Sequence, residues 1–219
     1  TEADWPLDSP TWAGAERSSF DQYVPRRAYG DGLSWSRATR AYQADLLETH
    51  VQILRRLKYR PTGGFCLFAF ADSHPDGGFG LLDIDRRPKP AWDRMVEACR
   101  PVMALVESLP STVVPGQPLA VAIHVVNDLP NSVDEAMVTA EVTMEGSDGT
   151  PTVVDRRAWI DSIEADSCAK VADVAFTTPA STGPLTVSVR LEANFFGVPL
   201  INTTTQRTIV IPQAESLSG

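Results

Sequence analysis

The run Gly63-Gly64-Phe65-Cys66-Leu67-Phe68-Ala69-Phe70-Ala71-Asp72 constrains this chain more than any other stretch. It is apolar without alternation and ends in a carboxylate. Such a run reads as a strand buried on both faces, as in a parallel sheet covered by helices. A parallel strand needs a neighbour on each edge, because buried backbone N–H and C=O groups must find partners. No second run of this kind appears before about residue 100. Residues 1–100 are therefore expected to be an incomplete piece of a larger α/β domain.

The sequence before that run is irregular at first. Pro6, Pro10, Gly14, Pro25, Gly30 and Gly32 punctuate the first 33 residues, which read as a loop carrying Trp5 and Trp12. Ser34 then suits an N-cap, and Trp35, Ala38, Tyr42, Leu46, Ile53 and Leu57 recur at helical spacing. Arg55, Arg56 and Lys58 close the helix, where cations complement its dipole, and Pro61 with Gly63-Gly64 stops it. After the apolar run come a loop, a short apolar segment at 79–84 and a helix around 90–99.

The grammar changes near residue 101. Alternation is clear in Leu119-Ala120-Val121-Ala122-Ile123-His124-Val125 and in Leu185-Thr186-Val187-Ser188-Val189-Arg190-Leu191. Candidate strands lie at 102–107, 118–127, 136–145, 152–160, 169–176, 184–193 and 199–211, separated by turn residues such as Pro115-Gly116 and Gly146-Ser147-Asp148-Gly149. This pattern predicts an immunoglobulin-like β-sandwich over 101–219, with Trp159 in its core.

A net charge of −9 argues against non-specific nucleic-acid binding and against anionic membranes. No apolar run approaches the roughly 20 residues that span a bilayer. The polar, acidic start does not look like a signal peptide, and the chain is expected to be soluble, in a bacterial cytoplasm or secreted. Three widely spaced cysteines make neither a disulfide framework nor a metal knuckle, and Cys66 and Cys99 read as small buried hydrophobes. Asn202-Thr203-Thr204 fits a glycosylation sequon, which matters only on secretion from a eukaryote.

Asp72, His74 and Asp76 alternate in the loop after the apolar run. Chemistry in α/β folds gathers at the carboxyl ends of strands, so this loop is a candidate substrate-facing rim. No metal site and no cofactor site is read from it. Asp83-Ile84-Asp85-Arg86-Arg87-Pro88-Lys89 reads as a salt-bridged turn that opens a helix. No nucleophile elbow or phosphate loop occurs. His50 and His124 read as structural.

With those residues in view, 43–101 resembles the end of the catalytic barrel in glycoside hydrolase family 2, in the branch of β-mannosidases and related exo-acting β-glycosidases. Gly64 matches a glycine of that family's last strand, Asp72 its final acid, and Asp83 and Lys89 the acid and lysine of the segment opening the last helix. Phe68 stands where the family has a tryptophan of its sugar platform, and Ala71 where it has asparagine. The resemblance implies a fold made of the last helix–strand–helix of a (β/α)8 (TIM) barrel followed by the immunoglobulin-like domain. It implies retaining hydrolysis of a terminal β-linked glycoside through a covalent intermediate.

Within that picture Phe68, Asp72 and His74 are expected to bind substrate, and Asp83 and Lys89 to be structural. Both catalytic glutamates would lie upstream, so the chain carries no catalytic residue and would be inactive without its missing N-terminal partner. The alternative is a non-catalytic carbohydrate-binding or structural module.

Overall fold

A computed structural model describes residues 15–73 and 78–212, with the backbone alone for 15–18. Trp5, Trp12, His74 and Asp76 lie outside the described residues. The chain divides into two compact units. One holds residues up to Leu54 together with Gly64–Arg100, and the other holds Arg55–Gly63 together with Pro101–Gly219.

The first unit contains helix α1 (Ala15–Tyr23), a 3-10 turn at Arg26–Ala28, helix α2 (Gly32–Arg56) and helix α3 (Pro90–Ala98). The last two residues of α2 group with the second unit. α1 falls in the stretch expected to be loop. Its sequence, Ala-Glu-Arg-Ser-Ser-Phe-Asp-Gln-Tyr, is too polar for a clear apolar period. α2 starts two residues before Ser34, and Asp31 caps it, accepting from the Ser34 amide at 2.7 Å. Trp35 anchors the start of the helix through Nε1, which donates to the Val24 carbonyl at 2.9 Å. A small core of Ala44, Leu81 and Ala91 is packed by Leu47, Leu67, Trp92 and Met95.

The expected barrel fragment is not present. Among the described residues 64–72 forms no ladder, and its only pairing is an isolated bridge between Ala71 and Leu82. Among the described residues every strand lies in the second unit, in two sheets that do not form a barrel. The apolar run does not form the expected strand: residues 63–70 carry no strand assignment and bend at Phe68 and Phe70. A period-free run records what a segment can bury, and only neighbouring strands make it part of a sheet. Cys66 and Cys99 are exposed, contrary to expectation, because one sits on this unpaired ribbon and the other caps α3.

Among the described residues the second unit holds eight strands: β1 (Val102–Val106), β2 (Thr112–Val113), β3 (Pro118–Asn127), β4 (Val133–Glu145), β5 (Pro151–Ile163), β6 (Ser167–Thr177), β7 (Gly183–Phe195) and β8 (Val198–Val210). One sheet runs β1-β3-β6 and the other β2-β8-β7-β4-β5. The inward residues of both sheets, among them Val121, Ile123, Val125, Val138, Val187 and Leu191, form one buried cluster. Trp159 packs against it while only partly buried. These are the positions that alternation selects, since successive side chains of a strand point to opposite faces.

β1 is an edge strand, and its free edge is not left open. Asn202 Nδ2 on β8 donates to the Val102 carbonyl at 2.8 Å, and Asn202 Oδ1 accepts from the Ala104 amide at 3.1 Å. Thr204 Oγ1 donates to the Ala104 carbonyl at 2.6 Å. Two buried side chains thus stand in for a missing strand. The Asn202 amide is consumed by this role, so the sequon is no acceptor in the folded chain.

Within the second unit, segment 55–63 is held by charge. Arg55 Nη2 meets Asp128 Oδ2 at 2.7 Å, and Lys58 Nζ bridges Asp128 and Asp166 at 2.6 Å each. The Tyr59 hydroxyl donates to Asp166 at 2.8 Å. These bonds from Lys58 and Tyr59 hold the Asp166 carboxyl below its ordinary value. Asp166 is solvent-facing, so screening keeps its contribution small.

His124, on β3, lies where the β3–β6 register slips after Ile123. Its Nδ1 is buried and has no hydrogen-bond partner among the described residues. Burial pushes its pKa down and the Arg56 cation adds to this, with Lys170 acting the same way and Glu107 and Asp173 opposing. A histidine whose folded pKa is depressed stabilises the fold while neutral. Stability is therefore expected to be full above pH 6.5 and to fall as pH drops from there through the depressed folded value. Thermal melts across that window check this: His124→Gln should flatten the dependence, and parallel curves for both proteins would contradict it.

Candidate functional site

In residues 64–89 an apolar ribbon leads into a turn that fixes its far end. The Gly63-Gly64 pair, with Gly64 at φ 157°, starts the ribbon. Residues 63–69 make no backbone hydrogen bond to another described residue. Fixation comes at the far end. The Phe70 carbonyl accepts from the Leu81 and Leu82 amides at 3.0 and 3.1 Å, and the Asp72 amide donates to the Leu82 carbonyl at 2.9 Å.

Asp72 and Lys89 lock this turn from within. They are 5% and 4% exposed, and Lys89 Nζ lies 2.8 Å from Asp72 Oδ2 and 3.1 Å from Oδ1. Lys89 also donates to the Gly78 carbonyl at 3.0 Å, and the Gly80 amide donates to Asp72 Oδ1 at 2.8 Å. All of these are charge-assisted or buried bonds, the strong kind. Gly80 is required here by proximity: a Cβ would stand 2.5 Å from the backbone of Ala71 and Asp72. Gln43 of α2 ties the same loop by donating to the Phe79 and Gly80 carbonyls at 3.1 and 3.3 Å.

Asp83 closes the following turn. Its Oδ1 accepts from the Arg87 amide at 2.9 Å, and its amide donates to the Arg87 carbonyl at 2.9 Å. Arg86, at φ 65°, reaches back to the Asp72 carbonyl at 3.2 Å. The paired turn delivers Lys89 to the start of α3.

Phe68 is 82% exposed, Phe65 and Phe70 near it in the chain are exposed, and so is Phe79 beyond the turn. Phe70 meets the Trp92 ring edge-on at 6.0 Å, which anchors the ribbon to α3. The Phe68–Ala69 peptide is cis. Of the residues expected to face substrate, the structure leaves Phe68 open to solvent and turns the Asp72 carboxylate inward onto Lys89. His74 is outside the described residues. Gly80 and Gln43 went unnoticed in the sequence, because their roles depend on a close approach and a contact that no local pattern encodes.

Among the described residues no cluster of His, Cys, Asp and Glu has the makings of a metal site. Glu48 on α2 is the carboxyl pushed upward, chiefly by burial, and it is spent on Arg94 Nη1 at 3.0 Å and Gln52 at 3.1 Å. No helix among the described residues is long and apolar enough to cross a membrane.

No protein-family model and no curated protein matches this chain. Among solved structures, the exo-chitosanase CsxA of Amycolatopsis orientalis is similar over 87% of this chain, at 13% identity and a TM-score of 0.62. A family 123 glycoside hydrolase from Clostridium perfringens, described in work on glycolipid glycan hydrolysis, matches over 52% of this chain at 10% identity and a TM-score of 0.40. The chain spans 21% and 28% of those two proteins. At such identity the likeness to the exo-chitosanase is one of fold.

Proposed function

We propose that this chain is a segment of a retaining β-glycosidase of the β-mannosidase-like kind. Its ribbon at 64–72 forms one wall of the sugar pocket, and its second unit is a supporting module. The observation that carries this is Phe68, an aromatic ring left 82% exposed in the segment that leads into the turn locked by Asp72 and Lys89. A solvent-open ring beside a locked turn offers a stacking face to a flat apolar ligand surface, as a pyranose presents. The fold shared with an exo-chitosanase supports the same class.

In this reading Phe68 touches sugar, and Asp72 and Lys89 are positioning residues. The bare backbone of 63–69 is covered by further polypeptide, which also supplies both catalytic glutamates. This chain by itself is expected to show no turnover of aryl β-mannosides or β-glucosides. In the complete enzyme Phe68→Ala should lower kcat/KM by about tenfold, the loss of one stacking contact of roughly 1.4 kcal/mol. Robust hydrolysis by the chain alone, or an unchanged kcat/KM in Phe68→Ala, contradicts the proposal.

A further inference from the structure

The β7–β8 hairpin ends in a two-residue loop, Phe196-Gly197, between the paired residues Phe195 and Val198. Both loop residues have positive φ, 49° for Phe196 and 83° for Gly197. Loops of this kind favour Asn-Gly or Asp-Gly, because a bulky side chain resists positive φ. Here a phenylalanine occupies the strained position, and it is 84% exposed. The ring therefore costs the turn backbone strain and buries little, and its one printed contact is with its chain neighbour Phe195. A local rule broken for so little burial points to function.

The surroundings narrow the occupant. Phe195 meets the Phe196 ring edge-on with centroids 4.6 Å apart, which fixes its orientation. Asn194 Oδ1 accepts from the Gly197 amide at 2.7 Å. Asn194 is exposed, its Nδ2 has no hydrogen-bond partner among the described residues, and it lies two residues before the ring. Residues 193–206 contain no ionisable side chain in a chain whose net charge is −9. An ordinary protein interface needs about 800 Å² from each partner. One ring, one valine and one amide at a hairpin tip offer far less.

We propose that this tip is a carbohydrate contact that takes one pyranose ring of an uncharged β-linked glycan. The apolar C–H face of the sugar lies on Phe196, and Asn194 Nδ2 donates to a hydroxyl. The contact belongs to the second unit and does not depend on Phe68. It gives a polymeric ligand a second hold on the protein.

Affinity electrophoresis of the full chain tests this, in native gels containing uncharged β-1,4-mannan or β-1,4-glucan. Wild type and Phe68→Ala should both be retarded, and Phe196→Trp should keep the retardation. Phe196→Asn should weaken binding about tenfold while its Tm holds or rises by about 2–4 °C, since Asn suits the turn. Wild type that runs freely in both polymers, or Phe196→Asn retarded as strongly as wild type, overturns the proposal. So does a lower Tm for Phe196→Asn, which makes the ring a packing group. Self-association lost in Phe196→Asn would assign the tip to a second copy instead and also overturns it. Retardation lost in Phe68→Ala alone moves the contact to the ribbon and overturns this inference while leaving the pocket reading standing.

Discussion

Lys89→Met is expected to destabilise the first unit by about 3–5 kcal/mol, the cost of leaving a buried charge without its partner. Asp72 and Lys89 are both at least nine-tenths buried, and Lys89 supplies two of the contacts to the Asp72 carboxylate. With the ammonium gone, the Gly80 amide alone faces that carboxylate among the described residues. The Gly78 carbonyl loses its donor as well. The double variant Asp72→Asn with Lys89→Met should recover much of the loss, because the uncompensated charge is removed and a neutral amide can still accept from Gly80. Urea unfolding followed by the near-ultraviolet signal of Trp92, which the Phe70 ring packs against, reads this directly. A single variant as stable as wild type would show that the pair does not hold the turn.

The second large effect is expected at Asn202. Asn202→Leu removes the partners of the Val102 carbonyl and the Ala104 amide together, inside a buried edge. Each buried backbone group left unsatisfied costs about 1–3 kcal/mol, so a loss of about 2–4 kcal/mol is expected after the gain from a larger apolar side chain. Asn202→Asp should also destabilise, since its carboxylate accepts from Ala104 but cannot donate to Val102. Thr204→Val should cost less, because it strips one bond from an Ala104 carbonyl. Denaturant midpoints at unchanged m-value measure this. An unchanged midpoint for Asn202→Leu would mean that β1 needs no cover on its free edge.

β4 and β7 were legible because buried and more exposed residues alternate along them. Val121, Ile123 and Val125 alternate with Ala122 and His124, and the structure puts the first three inside. What closes the edge of β1 was not legible. Asn202 and Thr204 lie about a hundred residues from their partners, and in sequence they look like a sequon on a wet face. The ribbon failed for a different reason. Its apolar run was real, but pairing is a property of neighbours, and no run of residues records which neighbours exist.

The site itself was legible only in part. Asp72 and Lys89 came forward through a resemblance of spacing, not through any periodicity, and their mutual burial could not be seen from 17 residues' separation. α1 hid because a short polar helix buries too little to leave a stripe. Phe196 hid because a strained φ is a fact of backbone geometry. For Asp72 and Lys89 the missing information is three-dimensional proximity, which composition and period average away.

Amide hydrogen exchange of this chain in isolation probes the ribbon most directly. The amides of 65–69 should exchange close to the unstructured rate, while those of Leu81, Leu82 and Asp72, bonded across the turn, should be protected by orders of magnitude more. Protection of 65–69 equal to that of Leu81 would mean the ribbon already has its partners within this polypeptide, and the wall of a larger sugar pocket would have to be sought elsewhere.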